Sequence, residues 1–203
     1  MGKFKFYAVK LSAIILLFFL VQVFLNGFTE IFLLNSGAFF QPWRFFTSIF
    51  LHGGITHLFY NLFALLLFGS ILESLIGERK FMLIFFVTGI LANLIAVNFY
   101  DSSLGASGAI FGIIGALIVV RPFIFVWAFG LPMPIIVAGI LWAIGDVIGI
   151  FVPSGTANVA HLFGMFFGLI FGILYRKKRV RRKKQKVVLN EGAIRKWEDG
   201  WLR

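Results

Sequence analysis

The feature that most constrains this chain is a series of six apolar stretches, separated by short runs of polar or turn-forming residues. These stretches cover residues 8–27, 56–73, 81–98, 106–120, 131–152 and 157–175. A helix needs roughly 20 apolar residues to cross the hydrocarbon core of a bilayer, and most of the stretches approach that length. The sequence therefore predicts an all-α membrane protein folded as a bundle of six transmembrane helices.

The composition excludes several other classes of protein. Hydrophobic residues make up 60% of the 203 residues and charged residues 13%, whereas soluble domains average about 45–50% and about 25%. A soluble enzyme, a disordered chain and a disulfide-bonded secreted domain are therefore excluded. The chain has no cysteine, which also excludes a thiolate nucleophile, a Cys-ligated zinc site and an iron–sulfur cluster.

The basic residues predict how the helices are oriented. Eighteen of the 19 Lys and Arg residues lie before or at the start of the first stretch, between the second and the third, or after the fourth or the sixth. Arg44 alone lies on the opposite side. Because cytoplasmic loops collect basic residues, both termini are expected to face the cytoplasm. Residues 1–176 then form the membrane core, and residues 177–203 form a basic tail that contacts anionic lipid headgroups and not nucleic acid.

Four hydrogen-bonding side chains are expected near the non-cytoplasmic ends of the predicted helices. Ser107 begins the fourth helix and His161 lies near the start of the sixth. His57 and Asn61 share one face of the second helix, because they are four residues apart. Polar side chains are costly in hydrocarbon, so those that occur there are often functional.

These side chains suit nucleophilic catalysis, but each also has a structural interpretation. A serine at a helix start lies beside free backbone N–H groups, and an imidazole can act as its base. The imidazole of His57 and the amide of Asn61 are suitable donors to an oxyanion. Alternatively, Ser107 caps its helix, His161 bonds a neighbouring carbonyl, and the other two form a polar clamp between helices.

Two glycine patterns favour contact between the fourth and sixth helices. Small residues allow close helix packing in membranes, and here they follow both Ser107 and His161 at helical spacing. They are Gly108, Gly112, Gly115 and Ala116 in the fourth helix and Gly164, Gly168 and Gly172 in the sixth. Outside the tail the aspartates are Asp101 and Asp146. Neither has a spacing that ties it to His161, so a Ser–His dyad is the simpler prediction.

Together these motifs resemble those of the rhomboid intramembrane serine proteases. The resemblance is carried by His57-x-x-x-Asn61, by Gly105-x-Ser107-Gly108 and by Ala160-His161-x-x-Gly164-x-x-x-Gly168. Trp43-Arg44, His52 and Glu73 also match the family pattern. In some members a tyrosine one turn after the serine stacks on the histidine, and Phe111 takes that place here.

The resemblance covers about residues 1–176 and implies a serine endopeptidase with the minimal six-helix form. It implies Ser107 as nucleophile and His161 as general base. Asn61, His57 and the backbone N–H of Ser107 would then donate to the oxyanion. The implied substrates are transmembrane segments of other proteins in the lipid bilayer, the site opens to the non-cytoplasmic side, and neither metal nor cofactor is needed.

Two other functions remain open from the sequence. One is a non-proteolytic rhomboid-like factor that binds membrane clients. The other is a metal or proton transporter built on the three histidines and Asp146. The residues that bind substrate are not predicted, although the fifth helix, with Trp142 and Phe151, is a candidate gate by resemblance.

Overall fold

The computed structural model of the chain describes residues 6–152, 155–176 and 191–201, which are mostly helical. The helices are α1 (Tyr7–Phe24), α2 (Phe28–Phe32), α3 (Arg44–Thr47), α4 (Ile55–Ala64), α5 (Ser70–Ile76), α6 (Glu78–Ala96), α7 (Ser107–Val120), α8 (Ile135–Phe151), α9 (Asn158–Tyr175) and α10 (Glu191–Trp201). A π-helical turn, Leu65–Gly69, joins α4 to α5, and short 3-10 turns cover Ser36–Phe39 and Ser48–Phe50. Two antiparallel strand pairs complete the fold: β1 (Leu34–Asn35) with β2 (Ser102–Ser103), and β3 (Phe125–Ala128) with β4 (Leu131–Pro134).

Four helical segments among the described residues are long and apolar enough to cross a membrane. They are α1, the continuous segment Ile55–Ile76, α6 and α9. The apolar helices α7 and α8 are shorter, with 14 and 17 residues. The prediction of a helical, multi-pass membrane protein agrees with these segments, whereas the count of six transmembrane helices stays a prediction.

Five of the six predicted stretches coincide with observed helices to within three residues, and the fifth stretch begins differently. Residue 131 was expected to begin a helix, but it starts β4, and helix α8 begins only at Ile135. Phe129 and Gly130 have positive φ angles of 54° and 76°, which favours a tight hairpin turn. Pro132 lacks the N–H that an α-helix interior requires. Apolar character alone therefore predicted the helix too early.

Helix α7 forms the centre of the bundle. Nine of its 14 residues are buried, and α6, α8 and α9 pack around it. By contrast, α1 buries one stripe at helical spacing, formed by Ala8, Leu11, Ser12 and Ile15. Its other large apolar side chains are mostly exposed or half-buried. This difference is expected when one helix is surrounded by protein and the other faces lipid.

A buried carboxylate attaches α1 to α5. Glu73 is 2% exposed and accepts hydrogen bonds from the backbone N–H groups of Tyr7 and Ala8, each at 3.1 Å. The first N–H groups of a helix have no intrahelical partner, and a carboxylate there also interacts favourably with the helix dipole. Glu73, which the resemblance singled out, therefore has a structural position away from Ser107.

Arg44 organises the segment between α1 and α4. Its Nη1 atom donates to the backbone carbonyls of Glu30 and Leu33, at 2.8 and 2.7 Å, and its Nε atom donates to the side chain of Gln41. Because the guanidinium is buried, these bonds satisfy a charge that would otherwise be costly. In the predicted tail, α10 covers Glu191–Trp201. Its contact with a membrane stays a prediction, and residues 177–190 lie outside the described residues.

Candidate active site

Ser107 is the first residue of α7, and its hydroxyl faces α9. Gly105 has a φ of 128°, a conformation that favours glycine, and its N–H donates to the carbonyl of Ser48 at 2.9 Å. Ala106 takes the capping position of the helix. The hydroxyl of Ser107 instead lies 2.8 Å from Nε2 of His161. The serine is therefore directed at the imidazole, and the capping interpretation does not describe its contact.

His161 lies in the first turn of α9 and packs against an aromatic side chain. Its ring stacks on that of Phe111, with centroids 4.3 Å apart and an angle of 7° between the planes. The residue is 8% exposed. Phe111 thus supplies the flat contact that the resemblance led us to expect from an aromatic residue at this position.

The backbones of α7 and α9 touch directly, and this contact brings Ser107 to His161. A methyl group added to Gly164 would overlap the carbonyl oxygen of Gly108 and lie 2.9 Å from its carbonyl carbon. The same conflict would arise one turn further on, between Gly168 and the carbonyl group of Gly112. Close helix packing in membranes depends on such small residues. The glycines that predicted contact between these two helices therefore lie at the contact itself.

Asp146 has no spacing in the sequence that ties it to His161, but the structure places it in contact with that ring. Its Oδ1 atom lies 2.9 Å from Nδ1 of His161, on the opposite side of the ring from Ser107. Asp146 is 7% exposed, and among the described residues its Oδ2 atom has no hydrogen-bond partner. Fifteen residues separate the two along the chain, so only the packing of α8 against α9 brings them together. The available signal was the cost of an isolated carboxylate in an apolar helix, which predicts a partner.

His57 lies beside the turn that carries Ser107. A methyl group on Gly105 would stand 2.8 Å from Cε1 and 2.9 Å from Nε2 of the His57 ring. The N–H of Gly53 donates to Nδ1 of the same ring at 3.4 Å. In the neutral ring the proton is then on Nε2, the nitrogen nearest Gly105, so the imidazole is a donor on the side of the serine.

Asn61 lies one turn further along α4 and is buried. Its side-chain amide donates to the backbone carbonyl of His57 at 2.9 Å. That bond uses one of the two amide hydrogens and leaves the second for another acceptor. Among the described residues, no hydrogen bond joins Asn61 to Ser107 or His161. The four predicted residues therefore share one region and form two bonded pairs, Ser107 with His161 and Asn61 with His57.

His52 packs against the ring of His57. Its ring centroid lies 5.0 Å from that of His57, and its backbone N–H donates to the side chain of Gln22 at 2.9 Å. Burial, and secondarily the proximity of His57, lower the pKa of His52 from 6.5 to about 4. The imidazole of His52 is thus neutral at ordinary pH.

All four predicted residues, Ser107, His161, His57 and Asn61, line one cavity of about 1280 Å³. Aromatic side chains from α4, α8 and the β3–β4 hairpin also line it; they include Phe59, Tyr60, Phe63, Trp127, Phe129 and Trp142. Several of these rings are exposed, so the cavity is open to the surroundings of the bundle. Its polar end and apolar walls are typical of a binding site for an amphipathic or apolar chain.

The described residues contain no group of three or more His, Asp or Glu side chains placed to hold a metal ion. The cavity brings together a hydroxyl, an imidazole and hydrogen-bond donors. A hydroxyl bonded to an imidazole nitrogen, with donors near the position of a reacting carbonyl, is suited to acyl transfer.

Comparison with known proteins gives the family. The family model of the Rhomboid domain matches residues 39–178. YdcA of Bacillus subtilis, a rhomboid-family protein, is 32% identical over 143 residues, which are 69% of this chain and 70% of YdcA. The rhomboid protease GluP of the same organism is 45% identical over 80 residues, 38% of this chain and 16% of GluP. Inactive RHOMBOID-like protein 8 of Arabidopsis thaliana is 39% identical over 80 residues, 38% of this chain and 23% of that protein.

The matches differ in what they cover. The chain spans most of YdcA but less than a quarter of the other two proteins. The family match contains all four predicted residues that line the cavity, which are His57, Asn61, Ser107 and His161. Together with the apolar helices and the close packing of α7 on α9, this match over most of the chain shows that the protein belongs to the rhomboid family.

Proposed function

We propose that this chain is an intramembrane serine endopeptidase, which hydrolyses peptide bonds in or near transmembrane helices of other membrane proteins. The observation that carries the proposal is the 2.8 Å separation between Oγ of Ser107 and Nε2 of His161. A serine is a weak nucleophile unless a base accepts its proton, and a neutral imidazole at this distance can do so. The names of several relatives, including GluP, agree with protease activity.

The proposed reaction is an acyl transfer in two stages. Nε2 of His161 takes the proton of Ser107 as Oγ attacks the carbonyl carbon of the substrate, which forms a tetrahedral intermediate. The C–N bond then breaks, and the imidazolium returns the proton to the leaving amine. A water molecule, deprotonated by the same imidazole, attacks the acyl carbon, and its proton is transferred to the departing Oγ of Ser107.

The tetrahedral intermediate needs donors to its oxyanion. The backbone N–H of Ser107 belongs to the first turn of α7, where helix amides lack intrahelical partners. The Nε2–H of His57 and the second amide hydrogen of Asn61 are the further donors that we assign. Removing one such donor from an oxyanion hole typically lowers kcat by about 10²- to 10³-fold.

The bilayer determines how substrate and water reach the site. We propose that six helices span it, including the shorter α7 and α8, and that both termini face the cytoplasm, as the basic residues predict. The site would then open to the non-cytoplasmic side, with residues 1–176 as the catalytic core and 177–203 as a tail at the cytoplasmic surface. A substrate helix must unwind locally before attack, because its carbonyls are otherwise bonded within the helix.

A fluorophosphonate probe tests the proposal, because it reacts with a serine that is activated by a base. The purified protein in detergent is expected to be labelled, and Ser107→Ala is expected to abolish labelling without changing the thermal unfolding temperature. Ser102→Ala and Ser103→Ala are matched controls, since both serines line the same cavity without contacting His161. Absence of labelling in a folded wild-type protein would refute the proposal.

The second candidate function is a non-proteolytic factor that binds membrane clients. It is favoured by the similarity to Inactive RHOMBOID-like protein 8. Cleavage of a model transmembrane substrate separates the two functions. The protease cleaves it and loses cleavage in Ser107→Ala, whereas the client-binding factor retains the substrate uncut in both forms.

A further inference from the structure

The carboxylate of Asp146 contacts the imidazole of His161 and does not line the cavity. Its Oδ1 atom lies 2.9 Å from Nδ1 of His161, while Nε2 of that ring lies 2.8 Å from the hydroxyl of Ser107. Asp146 is 7% exposed and is not among the residues that line the cavity.

The contact between Asp146 and His161 depends on which residues of α8 lie opposite which residues of α9. The two helices pack against each other, and a methyl group on Gly149 would stand 2.6 Å from the side-chain nitrogen of Asn158. One turn earlier on α8 is Asp146, and one turn later on α9 is His161. Because the helices run antiparallel, the close approach at Gly149 places the carboxylate opposite the imidazole.

The contact with Asp146 determines which ring nitrogen of a neutral His161 carries the proton. One ring nitrogen carries the proton and the other accepts, so a carboxylate at Nδ1 holds the proton there. Nε2 then has a free lone pair directed at Ser107. When Nε2 takes the serine proton, the ring becomes positively charged, and the adjacent carboxylate stabilises that charge in a region that water reaches poorly.

The other groups around the ring do not replace this role. Ser107 is the proton donor itself, and Phe111 contributes a stacked apolar face. His57, from α4, lines the same cavity and stands beside Gly105. Among the described residues, Asp146 is thus the acidic group that pairs with His161.

We propose that Asp146 is a positioning residue, which holds His161 in the tautomer that accepts the serine proton, so that the site works as a Ser–His–Asp triad. The proposal rests on the protease function proposed above. It replaces the simpler dyad that the sequence predicted. No bond to Asp146 forms or breaks, and its proton count is unchanged through the reaction.

The variants Asp146→Asn and Asp146→Ala test the proposal in solution. We expect kcat for a transmembrane substrate and the rate of fluorophosphonate labelling to fall by about 10²- to 10⁴-fold, with KM within threefold of the wild type. Asparagine is expected to be at least as harmful as alanine, because its amide can donate to Nδ1 and favour the proton on Nε2. Asp101→Asn, in the exposed loop before Ser107, is the matched control and should keep wild-type rates.

A fall of less than tenfold in both Asp146 variants would overturn the proposal. A second measurement keeps Asp146 intact, so it does not depend on whether an Asp146 variant folds. The chain has three histidines, so ¹⁵N-histidine labelling gives three pairs of ring-nitrogen signals, and His161→Gln assigns the relevant pair. We expect the neutral ring of His161 to be protonated at Nδ1, and protonation at Nε2 would refute the contact.

The two measurements also separate this proposal from the protease function. If the folded protein is not labelled and yet His161 is protonated at Nδ1, the protease function fails and the Asp146–His161 contact stands. If the protein is labelled and His161 is protonated at Nε2, the protease function stands and the role of Asp146 fails.

Discussion

The substitution Gly164→Ala tests whether backbone contact between α7 and α9 is what joins Ser107 to His161. The added methyl group would lie 2.9 Å from the carbonyl carbon of Gly108, and its oxygen would be nearer still. Ordinary contact between carbon atoms begins at about 3.4 Å. Because the obstacle is backbone, no side-chain rotation can relieve it. We therefore expect the two helices to move apart by about 1 Å at this level.

The consequence for the site follows from its position. Gly164 is one turn from His161, and Gly108 is adjacent to Ser107, so most of the movement reaches the bonded pair. The distance from Oγ to Nε2 would grow from 2.8 Å to about 3.8 Å, which is beyond hydrogen-bond range. A misplacement of about 1 Å costs about 10²-fold in rate. Overpacking of this kind also destabilises a protein by about 1–3 kcal/mol.

The assay is the second-order rate of fluorophosphonate labelling, measured together with thermal unfolding in the same detergent. Gly145→Ala is the matched control, since a methyl group there meets nothing within 4 Å and α8 is equally apolar. We expect about 10²-fold slower labelling for Gly164→Ala and an unchanged rate for the control. Labelling of Gly164→Ala within threefold of the wild type, in a folded protein, would show that the reasoning is wrong.

Two further predictions concern the neighbourhood of Ser107. Gly105→Ala should push the His57 ring out of place, since the methyl group would stand 2.9 Å from Nε2, and should lower kcat by about 10²-fold; unchanged kcat would argue against an oxyanion role for His57. Because the fold holds the pKa of His52 near 4 against 6.5 in the unfolded chain, the unfolded state binds more protons below pH 6.5, and stability should fall by about 3 kcal/mol between pH 6.5 and 4. His52→Gln should remove that part of the pH dependence in unfolding experiments, and an equal slope in both proteins would contradict it.

Much of the architecture could be predicted because a membrane helix is encoded by one continuous apolar stretch of sequence. Apolar length located the helical segments to within about one turn, and the glycine spacing predicted close contact between the helices that carry Ser107 and His161. The exception is the start of the fifth stretch, where a strand stands in place of the predicted helix. The β3–β4 hairpin is as apolar as a helix, and only its turn at Phe129–Gly130 and its prolines distinguish it.

Asp146 shows what local patterns could not supply. The sequence placed it in an apolar helix, where an unpaired carboxylate is costly, but several polar side chains could have been its partner. Its pairing depends on the rotation of α8 about its axis and on its register against α9. Both are decided by how glycine and larger residues interlock across the interface, as between Gly149 and Asn158.

By itself the sequence determined the membrane class, the helical segments, and the residue types from which a hydrolytic site could be built. These follow from burial in hydrocarbon and from helical periodicity, which act over neighbouring residues. The tertiary structure alone decided that Asp146 meets His161, that His57 faces the turn of Ser107, and that an aromatic cavity leads to them. Such contacts join residues on different helices, so they depend on interhelical distance, rotation and register, and no spacing along one helix encodes those quantities.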